Sequence, residues 1–302
     1  MQPLGVSAYL LRSALAVVAL ACLAVSSGRA AAPAPAGAAQ AAAGAAQPAV
    51  VIPRFSDPNA RIEGPNLPAG RVVRWATGDD YAPFHYIDAD GQPAGFAVDL
   101  ARAVCSELKI ACTLQAWRWD ALLDTIDKRQ ADVILAMVRP SPELRSRFAM
   151  SARVHQTPAR FVARRDKAPA EATPEALAGR AVAVVTGSAH EAFLKAFFPK
   201  AQLKTFEKAD AARAAVRDGE AELAFGDAVA LAFWLNGTSS NGCCRFVGGP
   251  YVDARYFGEG VGVLLKPGDE KLRQAIDYAL QRLDESGAYA EIYLKHFPIG
   301  IW

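Results

Sequence analysis

Arg71–Gly78 reads RVVRWATG, and Arg180–Gly187 reads RAVAVVTG. Both fit R-x-V-x-x-x-T-G, an apolar strand-forming run closed by Thr-Gly. Each is followed by helix, strand and helix patterns. Each half then reaches a further apolar strand behind an acidic residue, Asp132 before VILAMV and Glu222 before LAFGD. One unit used twice predicts two similar α/β lobes with a ligand cleft between them. An eight-residue match is weak evidence of repetition by itself, so the neighbouring motifs carry the decision.

The chain has 302 residues and a formal net charge of +2. It is too long for one small domain and fits two lobes with full cores. No Lys/Arg block interleaves with aromatics, which argues against a nucleic-acid partner. Arg12 precedes an apolar stretch from Ala14 to Val25, and small residues at Gly28 and Ala30 suit signal peptidase cleavage. The stretch is shorter than the ~20 residues a membrane span needs. Residues 1–30 therefore read as a signal peptide rather than an anchor, and the mature chain as periplasmic. Cys22 follows Ala19-Leu20-Ala21, a poor lipobox, so lipidation there is the less favoured reading. Residues 31–69 form an Ala/Pro-rich linker; 31–48, all Ala, Pro, Gly and Gln, cannot bury a core. Ordered structure is expected to start close to Arg71.

From there the expected layout is lobe 1 over 70–160, lobe 2 over 161–256, and a return to lobe 1 over 257–302. Leu100, Val104 and Leu108 are spaced four apart after Gly95, as a helix requires. Ile110–Leu114 reads as a strand, Trp119–Lys128 as a helix and Asp132–Val138 as a continuous buried strand. Ser141-Pro142-Glu143 and Thr173-Pro174-Glu175 are helix starts, the second closed by Gly179. Ser188-Ala189-His190-Glu191 is a capping box. Residues 159–164 and Val261–Leu265 read as crossing and returning strands. Leu272, Ile276, Leu280 and Leu283 make one apolar stripe. Alternating strands and helices predict a mostly parallel sheet flanked by helices in each lobe, with two crossing strands as the hinge.

Four cysteines follow the export signal. Cys105 lies late in a helical pattern and Cys112 in the next strand, positions that can meet across the corner. Closing so short a loop stabilises by roughly 2.5 kcal/mol in the chain-entropy model. Adjacent Cys243 and Cys244 form either a strained vicinal ring or two thiols in a turn. No histidine sits at zinc-ligand spacing to them, and no metal or other cofactor is expected.

Asp80-Tyr81-Ala82-Pro83-Phe84 followed by Gly95-Phe96-Ala97-Val98-Asp99-Leu100 resembles the polar amino acid binding proteins of bacterial ABC transporters, solute-binding protein family 3. The resemblance continues through Trp119-Asp120-Ala121-Leu122, Ser141-Pro142-Glu143, Leu177-Ala178-Gly179-Arg180, Val184-Val185-Thr186-Gly187-Ser188 and Gly226-Asp227. It covers nearly everything after residue 70. It implies a two-lobed "flytrap" (periplasmic binding protein) fold that captures a small solute for a membrane permease. The Cys105/Cys112 spacing also resembles a disulfide of the histidine and lysine/arginine/ornithine binders.

Asp227 follows a strand into the expected cleft, where ligands bind outside the carboxyl ends of strands. The resemblance gives it the ligand ammonium group; capping the next helix is its structural alternative. Ser188 opens a helix whose free N–H groups suit a carboxylate. Tyr81 and Trp119 stand where the family packs aromatic or apolar side chains on the ligand. One departure matters. Relatives carry a carboxylate-gripping Arg where this chain has Leu144. Either Arg139, at a strand end, or Arg145, on a short helix, is the candidate replacement.

No Gly-x-x-x-x-Gly-Lys loop is present, so ATP hydrolysis by that route is excluded. His85, His155, His190 and His296 are scattered and read as isolated side chains. The expected protein is a monomeric, non-enzymatic solute-binding protein that hands an amino acid or similar charged solute to an ABC transporter permease. Its rivals are a periplasmic cyclohexadienyl dehydratase-like enzyme and an accessory or sensor protein of the quinoprotein dehydrogenase-associated type.

Overall fold

The computed structural model describes residues 51–302 except positions 56, 58, 60, 61, 66, 69, 298 and 299. The expected signal peptide, Cys22 and the tether over 31–48 lie outside the described residues. The chain opens with β1 (Val72–Gly78), the short strands β2 (Asp80–Tyr81), β3 (His85–Ile87) and β4 (Pro93–Ala94), and helix α1 (Phe96–Leu108). Then come β5 (Ala111–Trp117), single turns α2 (Trp119–Leu122) and α3 (Asp124–Asp127), β6 (Val133–Ile134), α4 (Pro142–Arg147) and β7 (Ala149–His155). The chain crosses to β8 (Ala159–Arg164), β9 (Ala181–Val185), α5 (Ala189–Phe197), β10 (Gln202–Phe206), α6 (Ala209–Arg217), β11 (Leu223–Asp227), α7 (Ala228–Asn236) and β12 (Cys244–Tyr251). After α8 (Ala254–Phe257) it returns through β13 (Val261–Leu265) to α9 (Glu270–Ser286) and α10 (Ala288–His296).

Two five-stranded sheets result, in the orders β5-β1-β6-β13-β7 and β10-β9-β11-β8-β12. The two R-x-V-x-x-x-T-G segments hold the same place in them. β1 lies between its parallel partners β5 and β6, and β9 between its parallel partners β10 and β11. The acidic residue ahead of each third strand is tied to an arginine of its R-x-V segment: Asp132 to Arg74 at 2.8 Å, Glu222 to Arg180 at 3.4 Å.

Both faces of each sheet are covered, so the inner strands read as near-continuous apolar runs. In lobe 1, Val73 and Trp75 pack with Leu100 and Val104 of α1 and with Leu272 and Ile276 of α9. The apolar stripe of α9 is buried as its four-residue spacing predicts, and each such side chain contributes about 1.5–3 kcal/mol. Asp269 caps this helix by accepting from the Leu272 N–H at 3.2 Å. In lobe 2, Phe161, Val184 and Leu194 fill one face, and Val162, Val216 and Trp234 the other.

The sheets are mixed rather than mostly parallel. β13 runs antiparallel to β6 and β7, and β8 antiparallel to β11 and β12. The cause is the double crossing: strands that leave and re-enter a lobe run against those that build it. Gln156 stitches the two crossings together, its Nε2 donating to the Gly258 carbonyl at 3.0 Å and its Oε1 accepting from Arg153 at 2.6 Å. Gly260, at φ +87°, completes this corner; a Cβ there would lie 2.7 Å from the His155 carbonyl oxygen.

Four local expectations change. The run from Asp132 to Val138 pairs in the sheet only at Val133–Ile134. Beyond it, Leu135 and Ala136 satisfy their carbonyls with the Thr77 hydroxyl (2.7 Å) and His85 Nε2 (3.1 Å), and Met137 turns away at φ +51°. The helix expected over Trp119–Lys128 breaks into α2 and α3. Residues around Thr173–Gly179 form turns without a helix. The packed chain also begins before Arg71: Ile52 and Phe55 lie against the lobe 1 core, the Phe55 ring 5.9 Å from Trp302. Two apolar residues make no periodic signal, so only their tertiary partners reveal them. Cys105 is bonded to Cys112, and Cys243 to Cys244.

Candidate functional site

The carboxyl ends of β1, β6, β9 and β11 converge on one cleft, the position that open α/β sheets reserve for ligands. Its cavity measures about 170 Å³. Lobe 1 supplies Tyr81, Phe84, Met137 and Arg139; lobe 2 supplies Ala189, His190, Asp227, Tyr256 and Phe257. The crossings, His155–Pro158 and Gly258–Val261, form the floor between them.

Asp227 ends β11 and caps α7, its Oδ1 accepting from the Ala230 N–H at 2.9 Å. Burial raises its carboxyl pKa; the α7 N–H groups and the positive charge of Arg139 pull the other way. Arg139 follows the turn that Met137 makes out of β6. Its aliphatic stem passes beside Gly258, and among the described residues its guanidinium donates no hydrogen bond and joins no ion pair. A charged donor left without a partner beside a cavity is what an anionic ligand group requires.

Tyr81 is half exposed, with its ring 5.1 Å from Phe84. Burial and the negative charge of Asp227 both raise its phenol pKa, so the hydroxyl remains protonated. His190 stands in the first turn of α5 with its ring 5.2 Å from Phe257. Burial, then the charge of Arg139, lowers its pKa to about 4, so the imidazole is neutral at pH 7.

Of the six residues expected at the site, the structure gathers Tyr81, Arg139 and Asp227 around the cavity. Ser188 lies beside it with its hydroxyl engaged, accepting from Glu191 N–H (3.1 Å) and donating to the Val185 carbonyl (2.6 Å). The Glu191 carboxylate reaches back past the cap to the Gly187 N–H at 2.6 Å, while the Ser188 N–H goes to the Val185 carbonyl at 3.3 Å, so only the Ser188 half of the expected capping box forms. The donors left at this helix start therefore belong to Ala189 and His190, which do line the cleft. Arg145 sits on the surface of α4, ion-paired with Glu259. Trp119 begins α2, is 54% exposed and does not line the cavity.

Sequence reading passed over Met137, Thr157, His190, Tyr256 and Phe257. For His190 a signal existed, because it is the second residue of a helix whose start was legible. For Met137 and Thr157 none did; their place depends on a left-handed turn and on the hinge.

Two α/β lobes joined by paired crossings, with a charged cleft between them, define a two-lobed binding protein. The L-cystine solute receptor of Neisseria gonorrhoeae in its unliganded open conformation shares this fold at a TM-score of 0.67, with 22% identity, over 77% of this chain and 95% of that one. The model of the bacterial extracellular solute-binding proteins, family 3, matches residues 73–299, and the chain belongs to that family. Its similarity extends to the L-arginine-binding protein of Pseudomonas aeruginosa, 28% identical over 79% of this chain and 92% of that protein. The lysine/arginine/ornithine-binding periplasmic protein of Escherichia coli is 27% identical over 76% and 89%.

Proposed function

We propose that this solute-binding protein captures an amino acid in the inter-lobe cleft. Asp227 takes the ligand ammonium group. Arg139, with the Ala189 and His190 N–H groups, takes the carboxylate, and Tyr81 covers the aliphatic part. Arg139 rather than Arg145 serves as the carboxylate clamp. Ser188 acts by shaping the helix start, and Trp119 and Arg145 stand outside the contact set. The observation that carries this reading is the opposition of an unpaired arginine on one lobe to a carboxylate on the other. Such a pair fits a zwitterion, and it is complete only while both lobes contact the ligand, so binding favours the closed form. The names of the relatives, arginine and lysine/arginine/ornithine binders, point to the same class.

In this reading the exported chain works as a periplasmic monomer and its closed form is recognised by an ABC permease. A thermal-shift panel of the twenty amino acids, ornithine, polyamines, dicarboxylates and prephenate tests it. An amino acid should raise the melting temperature in proportion to the logarithm of its concentration once above Kd. Stabilisation by dicarboxylates alone would overturn the ammonium site, and turnover of prephenate would overturn the assignment as a binder only.

A further inference from the structure

His155 ends β7 behind the floor of the cleft. It is 2% exposed and enclosed by rings, with Phe84 at 5.1 Å, Phe297 at 5.5 Å and Phe96 at 5.6 Å. Burial lowers its pKa to about 3, so the ring is neutral and carries one proton. Nε2 lies 3.2 Å from the Thr157 Oγ1, while Nδ1 is buried without a hydrogen-bond partner. These facts choose the tautomer. Orphaned buried N–H groups are rarer than idle acceptors, so the proton belongs on Nε2, where it has an acceptor. Thr157 Oγ1 is then an acceptor toward His155, and its own single proton is available for another partner. No other hydrogen bond of Thr157 exists among the described residues, and Thr157 lines the cleft with Arg139.

We propose that Thr157 is a ligand-contacting residue: its hydroxyl, held by the His155 ring, donates to a carboxylate oxygen of the ligand beside Arg139. His155 is a positioning residue that acts through Thr157. The pair supplements Arg139 in a chain whose usual clamp position holds Leu144. This inference rests on the cleft being an amino acid site.

Calorimetry decides it, with the tightest-binding of the twenty L-amino acids and ornithine as probe. Thr157→Val, which keeps the side-chain shape, should weaken binding roughly tenfold or more, as expected for a hydrogen bond to a charged group. Thr157→Ser should stay within about threefold of the wild type. In a His155→Phe background the Thr157→Val penalty should shrink, because the two residues act together. Each variant's melting temperature separates loss of fold from loss of contact. Equal affinity for Thr157→Val and the wild type, with Asp227→Ala still weakening binding, would overturn this contact and leave the amino acid reading standing. Binding of no amino acid by the wild type would overturn both.

Discussion

Arg139 and Asp227 face each other from opposite lobes without forming an ion pair. They are close enough for the guanidinium charge to oppose the burial-driven rise of the Asp227 pKa. Neither charge is neutralised by the other, and each has a side open to the cavity. A zwitterion inserted between them would meet both partners at once, whereas a direct pair would have to be broken first.

Asp227→Ala removes the only carboxylate that lines the cavity among the described residues. A ligand ammonium left buried and unpaired costs about 3–5 kcal/mol, or roughly two to three and a half decades in affinity. Calorimetry with the preferred amino acid should show that loss. Affinity within threefold of the wild type would remove Asp227 from the site.

Arg139→Ala and Arg145→Ala should separate cleanly. Loss of a charged hydrogen bond to the carboxylate predicts a tenfold to hundredfold weaker Kd for Arg139→Ala. Arg145 is committed to Glu259 at the surface, where an ion pair contributes little. Its removal should change Kd by less than threefold. The reverse order would move the clamp to α4.

Asp227 should cost the ligand-free protein stability. Its carboxyl pKa is raised in the folded state, so just above the ordinary carboxylate value of about 3.9 the folded chain keeps a proton that the unfolded chain has lost. Stability therefore falls as pH rises through that window and stays lower above it. Asp227→Asn keeps a side-chain cap for α7 while removing the charge. It should melt higher than the ligand-free wild type at pH 7 and lose the advantage in acid. An equal or lower melting temperature at pH 7 would show that the carboxylate is not strained there.

The cleft histidines act with the opposite sign. The pKa values of His190 and His155 are lowered to about 4 and about 3. The unfolded chain takes up their protons first, near pH 6.5. Stability is then fully present above pH 6.5 and is lost as the solution is acidified toward those folded values. His190→Gln should flatten the fall in melting temperature between pH 6.5 and 4. An unchanged slope would show that His190 is solvated.

The two disulfides should contribute unequally. Cys105 and Cys112 are seven residues apart and join α1 to β5, a loop for which the entropy model gives roughly 2.5 kcal/mol. Cys243 and Cys244 are neighbours and restrict almost no chain. Denaturant titration of the paired Cys→Ser variants should show the larger loss for the first bridge. A larger loss for the second would mean that the ring stabilises by packing against its surroundings.

Sequence alone determined the duplicated α/β plan, the helix cap at Ser188 and the placement of Asp227 at a strand end. These depend on apolar periodicity and cap chemistry, which act over a few residues and are therefore written locally. Tertiary structure decided the rest. Arg139 reaches the cleft because Met137 turns the chain out of the sheet, while Arg145 is held at the surface by Glu259, more than a hundred residues later. The Gly187 N–H is taken by Glu191, leaving Ala189 and His190 to face the cavity. The Thr157 hydroxyl meets His155 Nε2 because that ring is held among Phe84 and Phe297, more than two hundred residues apart in the chain. Which side chains face a cleft depends on contacts between distant segments, and those form only when both lobes and the two crossings between them are assembled.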